Sequence, residues 1–190
     1  MARAPFDEMS CSVARTVGVL ADAWTPLIVR DAYLGISRFD AMQRNLGISR
    51  KVLAARLAAL VDHGVLERVA YQEHPPRHDY RLTEKGRDLA GVLLAMKAWG
   101  DRWARDGAGP PLLLRHDRCG AVAEAVPTCS ACGEPVLPGE VTPLPGPGAL
   151  PGPGTWEIPA ALERLQAVRR ASSPPSPVPG ATGGAGSASR

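Results

Sequence analysis

"LGISRKVLAARLAALVDHGVLER", residues 46–68, is rich in alanine and leucine, yet its first turn opens on Ser49-Arg50-Lys51. Stepped at about 100° per residue from Leu53, the positions of Leu57, Leu60 and Val61 form one apolar stripe. The opposite face holds Lys51, Ala55, Ala58, Ala59 and Asp62, with Arg50 and Arg56 flanking the stripe. The spacing predicts a helix capped by Ser49 and stopped at Gly64. Small residues on an outer face let a helix backbone come close to another surface. Cations at its first turn add to the positive end of the helix dipole, where phosphate is favoured. A surface helix with two solvated cations has the same pattern. The short "GIS" turn and the helix before it favour a reading helix entering a DNA major groove.

Around this stretch, residues 1–108 show helical periodicity with polar punctuation. "SVARTVGVLA" places Val13, Val17 and Leu20 on one face. In "WTPLIVRDAYL" Thr25 reads as the N-cap, Pro26 as the first helical residue and Gly35 as the stop. In "SRFDAMQRNLG" Ser37 reads as the cap, Asp40 completes a capping box and Gly47 ends the helix. "LERVAY" and "HDYRL", joined by "QEHPPR", predict a β-hairpin with a proline-stiffened tip. One long helix from Thr83 to about Arg105 then carries Leu89, Leu93, Met96, Trp99 and Trp103 at heptad-like spacing. The expected fold is mostly α with a small β-hairpin (α+β): a winged helix-turn-helix.

"CSVARTVGVLADAWTPLIVRDAYLG", "RFDAMQRNLGISRKVLAARLAALVDHGVLER" and "YQEHPPRHDYRLTEKGRDL" together resemble the HxlR-type family of bacterial transcriptional regulators, over residues 9–106. The resemblance implies a homodimer that binds double-stranded DNA and represses or activates nearby genes. It puts the helix from Ser49 to His63 in the major groove. The wing tip at Pro75, Pro76 and Arg77 would lie on the backbone or minor groove, and the first and last helices would make the dimer. The residues expected at DNA are Arg38, Ser49, Arg50, Lys51, Ala55, Arg56, Arg77 and His78. For Arg77 a solvated loop cation is the plain alternative. His78, like His74, adds little charge at neutral pH. A two-fold axis would set the reading helices about one DNA turn apart and so require a near-palindromic site.

The chain has 190 residues, 45% of them hydrophobic, and a formal net charge of +3. That excess is concentrated in residues 38–85. No apolar run approaches the roughly 18 residues of a membrane span, and no leader pattern opens the chain, so a cytoplasmic protein with no membrane role is expected. Phosphate-loop, nucleophile–base and paired-carboxylate patterns are lacking, which argues against an enzyme. From Pro138 to Thr155 eleven of eighteen residues are Pro or Gly. Residues 143–190 read as a disordered tail with a short helix at 159–171, and no internal repeat is apparent.

Four cysteines remain, Cys11, Cys119, Cys129 and Cys132. Cys11 precedes the first helix with Arg15 four residues on, a setting that favours thiolate. The resemblance implies an oxidant or electrophile effector sensed there, and a small-molecule effector is equally open. A small buried hydrophobe is the competing reading. "HDRCG" (116–120) and "CSACG" (129–133) give His116, Cys119, Cys129 and Cys132 the spacing of a structural zinc site in a ribbon-like module over 111–142. A Cys129–Cys132 redox pair and inert thiols also fit. A DNA-binding regulator is the leading function. The second is an adaptor that docks partners through the zinc module and tail, separable from the first by the salt dependence of DNA binding.

Overall fold

The computed structural model describes residues 6–20, 22–104, 107, 109–137 and 139–172. A 3-10 turn (Phe6–Glu8) leads into α1 (Ser12–Leu20), α2 (Thr25–Tyr33), α3 (Phe39–Leu46) and α4 (Arg50–Asp62). The hairpin β1 (Leu66–Gln72) and β2 (Arg77–Leu82) follows, then α5 (Glu84–Asp88), α6 (Ala90–Trp103) and, after a long irregular stretch, α7 (Ile158–Ser172). The strands pair antiparallel from Leu66↔Leu82 to Gln72↔Arg77, with an irregularity at Tyr71. Four helices, a hairpin and the α5–α6 pair make the winged helix-turn-helix expected from the pattern.

The core sits where α2, α3 and α4 meet the base of the hairpin. Ile28 and Val29 of α2, Met42 of α3, and Leu53, Leu57 and Leu60 of α4 are sealed there with Val65 and Leu66. Among them lies a carboxylate, Asp31, with no exposed surface. Buried charge is tolerated only when paired and hydrogen-bonded. Arg30 Nη2 reaches Asp31 Oδ1 at 2.7 Å and Asn45 Nδ2 donates to Oδ2 at 2.8 Å, which ties α2 to α3.

Several local expectations are corrected. Thr25 is the first residue of α2, and Asp22 does the capping: its Oδ1 accepts from the backbone N–H of Trp24 at 2.7 Å and of Thr25 at 3.1 Å. Ser37 does not cap α3; its hydroxyl donates to Asp79 in β2 at 3.1 Å, because the wing folds back over the start of that helix. Asp40 has no capping role and turns to Arg50. In α1 the residue packed on the core is Val19, while Val13 and Val17 face outward. The long closing helix is two. Thr83 caps α5 as its hydroxyl accepts from Gly86 N–H at 3.1 Å, and the chain tightens at Leu89, whose N–H bonds Gly86 O at 3.2 Å. Gly86 is required where it stands: a Cβ there would lie 2.1 Å from the Val65 carbonyl oxygen.

The Pro/Gly-rich stretch, expected to be disordered, packs over part of its length. Ser10 Oγ donates to Gly148 O, and Leu150 N–H donates to Ser10 Oγ at 3.1 Å. Thr155 is buried, and Gly154 lies against Met9. The expected helix at 159–171 is present as α7; residues 173–190 of the expected disordered tail lie outside the described residues. No helix among the described residues is long and apolar enough to cross a membrane.

Candidate nucleic-acid interface

The turn that aims α4 is built from three residues. Gly47 takes a left-handed conformation (φ 65°) and its N–H closes α3 onto Gln43 O, which a side chain would strain. Ile48 is buried and pins the turn to the core. Ser49 then caps α4, its hydroxyl accepting from Val52 N–H at 3.3 Å. At the far end Gly64 (φ 66°) ends the helix, and Lys85 Nζ donates to His63 O at 2.7 Å. With Leu53, Leu57 and Leu60 inward, the exposed residues of α4 include Arg50, Lys51, Ala54, Ala55 and Ala58. Lys51 and the alanines therefore form the slim, cation-tipped outer face that the periodicity required.

The two arginines beside that face are less free. Arg50 Nη1 lies 2.9 Å from Asp40 Oδ1, and its guanidinium stacks 4.8 Å above the Phe39 ring. The pair is exposed, so the charge is held at the α3–α4 corner but still faces solvent. Arg56 turns away to Asp22, Nε to Oδ2 at 2.7 Å. The angle is too bent for a hydrogen bond, and the Nε is sealed from solvent, so the contact is an ion pair only. Arg56 thus braces the cap of α2, and its charge is already matched.

Opposite the start of α4, the hairpin closes a polar cleft of about 590 Å³. Arg38, Arg44, Arg50, Arg68 and Arg77 line it, with Asp40 as the lone acid. Arg38 stacks 4.6 Å over Tyr71 and lies 3.7 Å from Asp79. His78 Nδ1 is 3.3 Å from Arg68 Nη2. The expected set Arg38, Arg50, Arg77 and His78 is therefore brought together here, with Ser49 and Lys51 at the adjoining helix start. Arg44 and Arg68 were missed. Arg68 falls on the same strand face as buried Leu66 by the two-residue period, so the period alone gives no sign of its exposure. Arg44 closes an apolar-faced helix and has no distinguishing local pattern.

Cys11 is partly exposed just ahead of α1, and Arg15 Nε donates to Met9 O at 3.1 Å rather than reaching the thiol. In the 111–142 segment the four expected metal donors form two pairs. His116 Nδ1 lies 3.3 Å from Cys119 Sγ. The backbone N–H groups of Cys132 and then Ala131 point at the Cys129 sulfur and, with the Cys132 thiol, hold its pKa below the usual thiol value. Among the described residues no three His, Cys, Asp or Glu side chains gather where one metal ion could join them. The segment joins the domain along Pro111–Arg115, which line an apolar groove between α2 and α6.

Comparison with known proteins agrees with this geometry. Residues 19–108 match the HxlR-like helix-turn-helix family. The HTH-type transcriptional regulator Rv3095 of Mycobacterium tuberculosis is 45% identical over 137 residues, 72% of this chain and 87% of that protein. The regulator sll1512 of Synechocystis is 37% identical over 94 residues, 49% of this chain and 70% of its own length. The crystal structure of PA1607, described as a transcription factor, superimposes with a TM-score of 0.62 at 36% identity, covering 70% of this chain and 94% of its own. The transcription factor PA1374 from Pseudomonas aeruginosa gives 0.53 at 35% identity, covering 74% and 95%. These relatives are regulators with a DNA-binding fold rather than enzymes. The chain belongs to the HxlR-like helix-turn-helix family of transcriptional regulators.

Proposed function

We propose that the chain binds a near-palindromic operator as a homodimer, with α4 in the major groove and the wing tip on the adjoining backbone. The observation that carries this reading is the exposed Lys51–Ala55–Ala58 face of α4 beside a cleft lined by five arginines. Bare alanines allow approach to base edges, while the arginines of the cleft match phosphate in charge and geometry. Arg77 extends the same potential onto the wing. The dimer reading is supported by large apolar side chains left in solvent: Val13 and Val17 on α1, and Met96, Trp99 and Trp103 on α6. Monomeric proteins rarely leave such surface uncovered.

The test is fluorescence anisotropy of the full chain on genomic fragments selected by the protein, across a salt series. Tight binding that weakens steeply with salt, one dimer per site, is expected. Absence of binding at low salt by a chain that remains dimeric would remove the DNA reading and leave the adaptor role in its place.

A further inference from the structure

We infer that His116, Cys119, Cys129 and Cys132 bind one structural zinc ion, which joins two copies of the same backbone turn. The turns share three backbone hydrogen bonds at an offset of 13 residues. His116 N–H donates to Ala121 O at 2.8 Å, and Cys129 N–H to Glu134 O at 2.8 Å. Gly120 N–H returns to His116 O at 2.7 Å, and Gly133 N–H to Cys129 O at 2.8 Å. Ala123 N–H donates to Leu114 O at 3.0 Å, and Val136 N–H to Pro127 O at 2.9 Å. Bridges Arg115↔Val122 and Thr128↔Pro135 close the two hairpins, and Gly120 and Gly133 share a left-handed backbone (φ 74° and 77°). Both turns present donors at their first and fourth positions, and the glycine follows at the fifth.

The donors suit zinc. On one tetrahedral ion, Zn–S of about 2.3 Å and Zn–N of about 2.0 Å place N and S about 3.5 Å apart. His116 Nδ1 and Cys119 Sγ stand at 3.3 Å, close to that separation with no ion between them. The module has little else to hold it: among its described residues from 109 to 142 none is buried, Leu113, Val122, Val126 and Leu137 lie in solvent, and its ties to the rest of the chain are Pro111–Arg115 along the α2–α6 groove and Arg169 Nη2 on Gly139 O. A segment this short with no core needs a staple.

The two pairs stand apart, so coordination draws the second turn onto the first across the link 121–128. Three thiols release their protons to solvent and His116 binds as neutral imidazole, leaving the site with one net negative charge. Four protein donors leave no open position, so the ion is structural. Any continuous 137-residue match within 190 residues must include residues 54–137, so the stretch over which the chain is 45% identical to the mycobacterial regulator takes in the segment that carries both turns.

The test is independent of DNA binding. The full chain, purified under reducing conditions without added metal, is assayed for zinc by mass spectrometry. It is then stripped with chelator and titrated with cobalt(II). Near one zinc per chain is expected, with the visible bands of tetrahedral cobalt thiolate on titration. Cys129→Ser should lower zinc affinity by at least about a hundredfold, whereas Cys11→Ser should leave both readings unchanged. Zinc below a tenth per chain with no tetrahedral cobalt spectrum overturns the inference. So does a Cys129–Cys132 disulfide in the freshly isolated chain, or loss of metal from Cys11→Ser.

Discussion

Ser37 and Asp79, 42 residues apart, are joined by a 3.1 Å hydrogen bond from the Ser37 hydroxyl to Asp79 Oδ1. Backbone pairing runs beside it, as Tyr80 N–H donates to Ser37 O at 2.8 Å. Arg81 Nη2 adds a contact to Asp79 Oδ2 at 3.2 Å. The wing is thereby fastened to the entrance of α3, and the floor of the arginine cleft is set by a residue that itself points away from solvent. Asp79→Ala should cost about 2 kcal/mol in urea unfolding, since charged hydrogen bonds are each worth about 1.5–3 kcal/mol. It should also weaken DNA binding although Asp79 is not placed to touch DNA. A variant that loses stability but binds DNA unchanged would show that the wing does not need this anchor.

Lys51 and Arg56 separate a contact role from a bracing role on the same helix. Lys51→Ala should weaken binding evenly across operator sequences and lower the slope of log affinity against log salt by about 1. Arg56→Ala should leave that slope unchanged and act on thermal stability, because its partner is Asp22. Equal slopes for Lys51→Ala and the unaltered chain would take Lys51 off the phosphate.

Two glycines in the closing helices should respond in opposite directions to the same change. Gly86→Ala drives a Cβ into the Val65 carbonyl, and a cost of about 3 kcal/mol is expected, at the upper end of overpacking. Gly91 in α6 has nothing within 4 Å of the added methyl, so Gly91→Ala should gain about 0.5–1 kcal/mol from helix propensity. Calorimetric melting of both variants checks the pair.

For Cys11, the thiol reading predicts that diamide lowers operator affinity in the unaltered chain and leaves Cys11→Ser unaffected, read by anisotropy. Identical responses would assign Cys11 to packing alone.

The fold was legible wherever one helix carried its own instructions. Leu53, Leu57 and Leu60 placed α4, Gly47 and Ser49 placed its turn, and the alternation in 66–82 placed the wing. What escaped were relationships between elements. Ser37 has the composition of a cap but serves the wing, Arg50 meets Asp40 from the neighbouring helix, and Arg56 meets Asp22 across 34 positions of chain. No local period encodes such pairs. The doubled turn at 116 and 129 was legible in the paired spacing of HDRCG and CSACG, while the backbone hydrogen bonds that the two turns share, between residues outside the donor positions, carry no mark in the side chains. In the Pro/Gly stretch composition pointed to disorder, and the contacts of Gly148, Leu150 and Gly154 with Met9 and Ser10 depend on backbone groups that composition does not weigh.

Those last contacts bear on how the molecule can be cut. The segment at 148–155 is clasped to the residues immediately ahead of α1 and Cys11, so a shortened version ending near 142 would not simply shed spare length. It would undress the amino-terminal approach to the first helix, strip Ser10 of both its hydrogen bonds, and leave Met9 without its cover. Trimmed and whole proteins would then differ in thiol reactivity and self-association for reasons unrelated to the loss of α7.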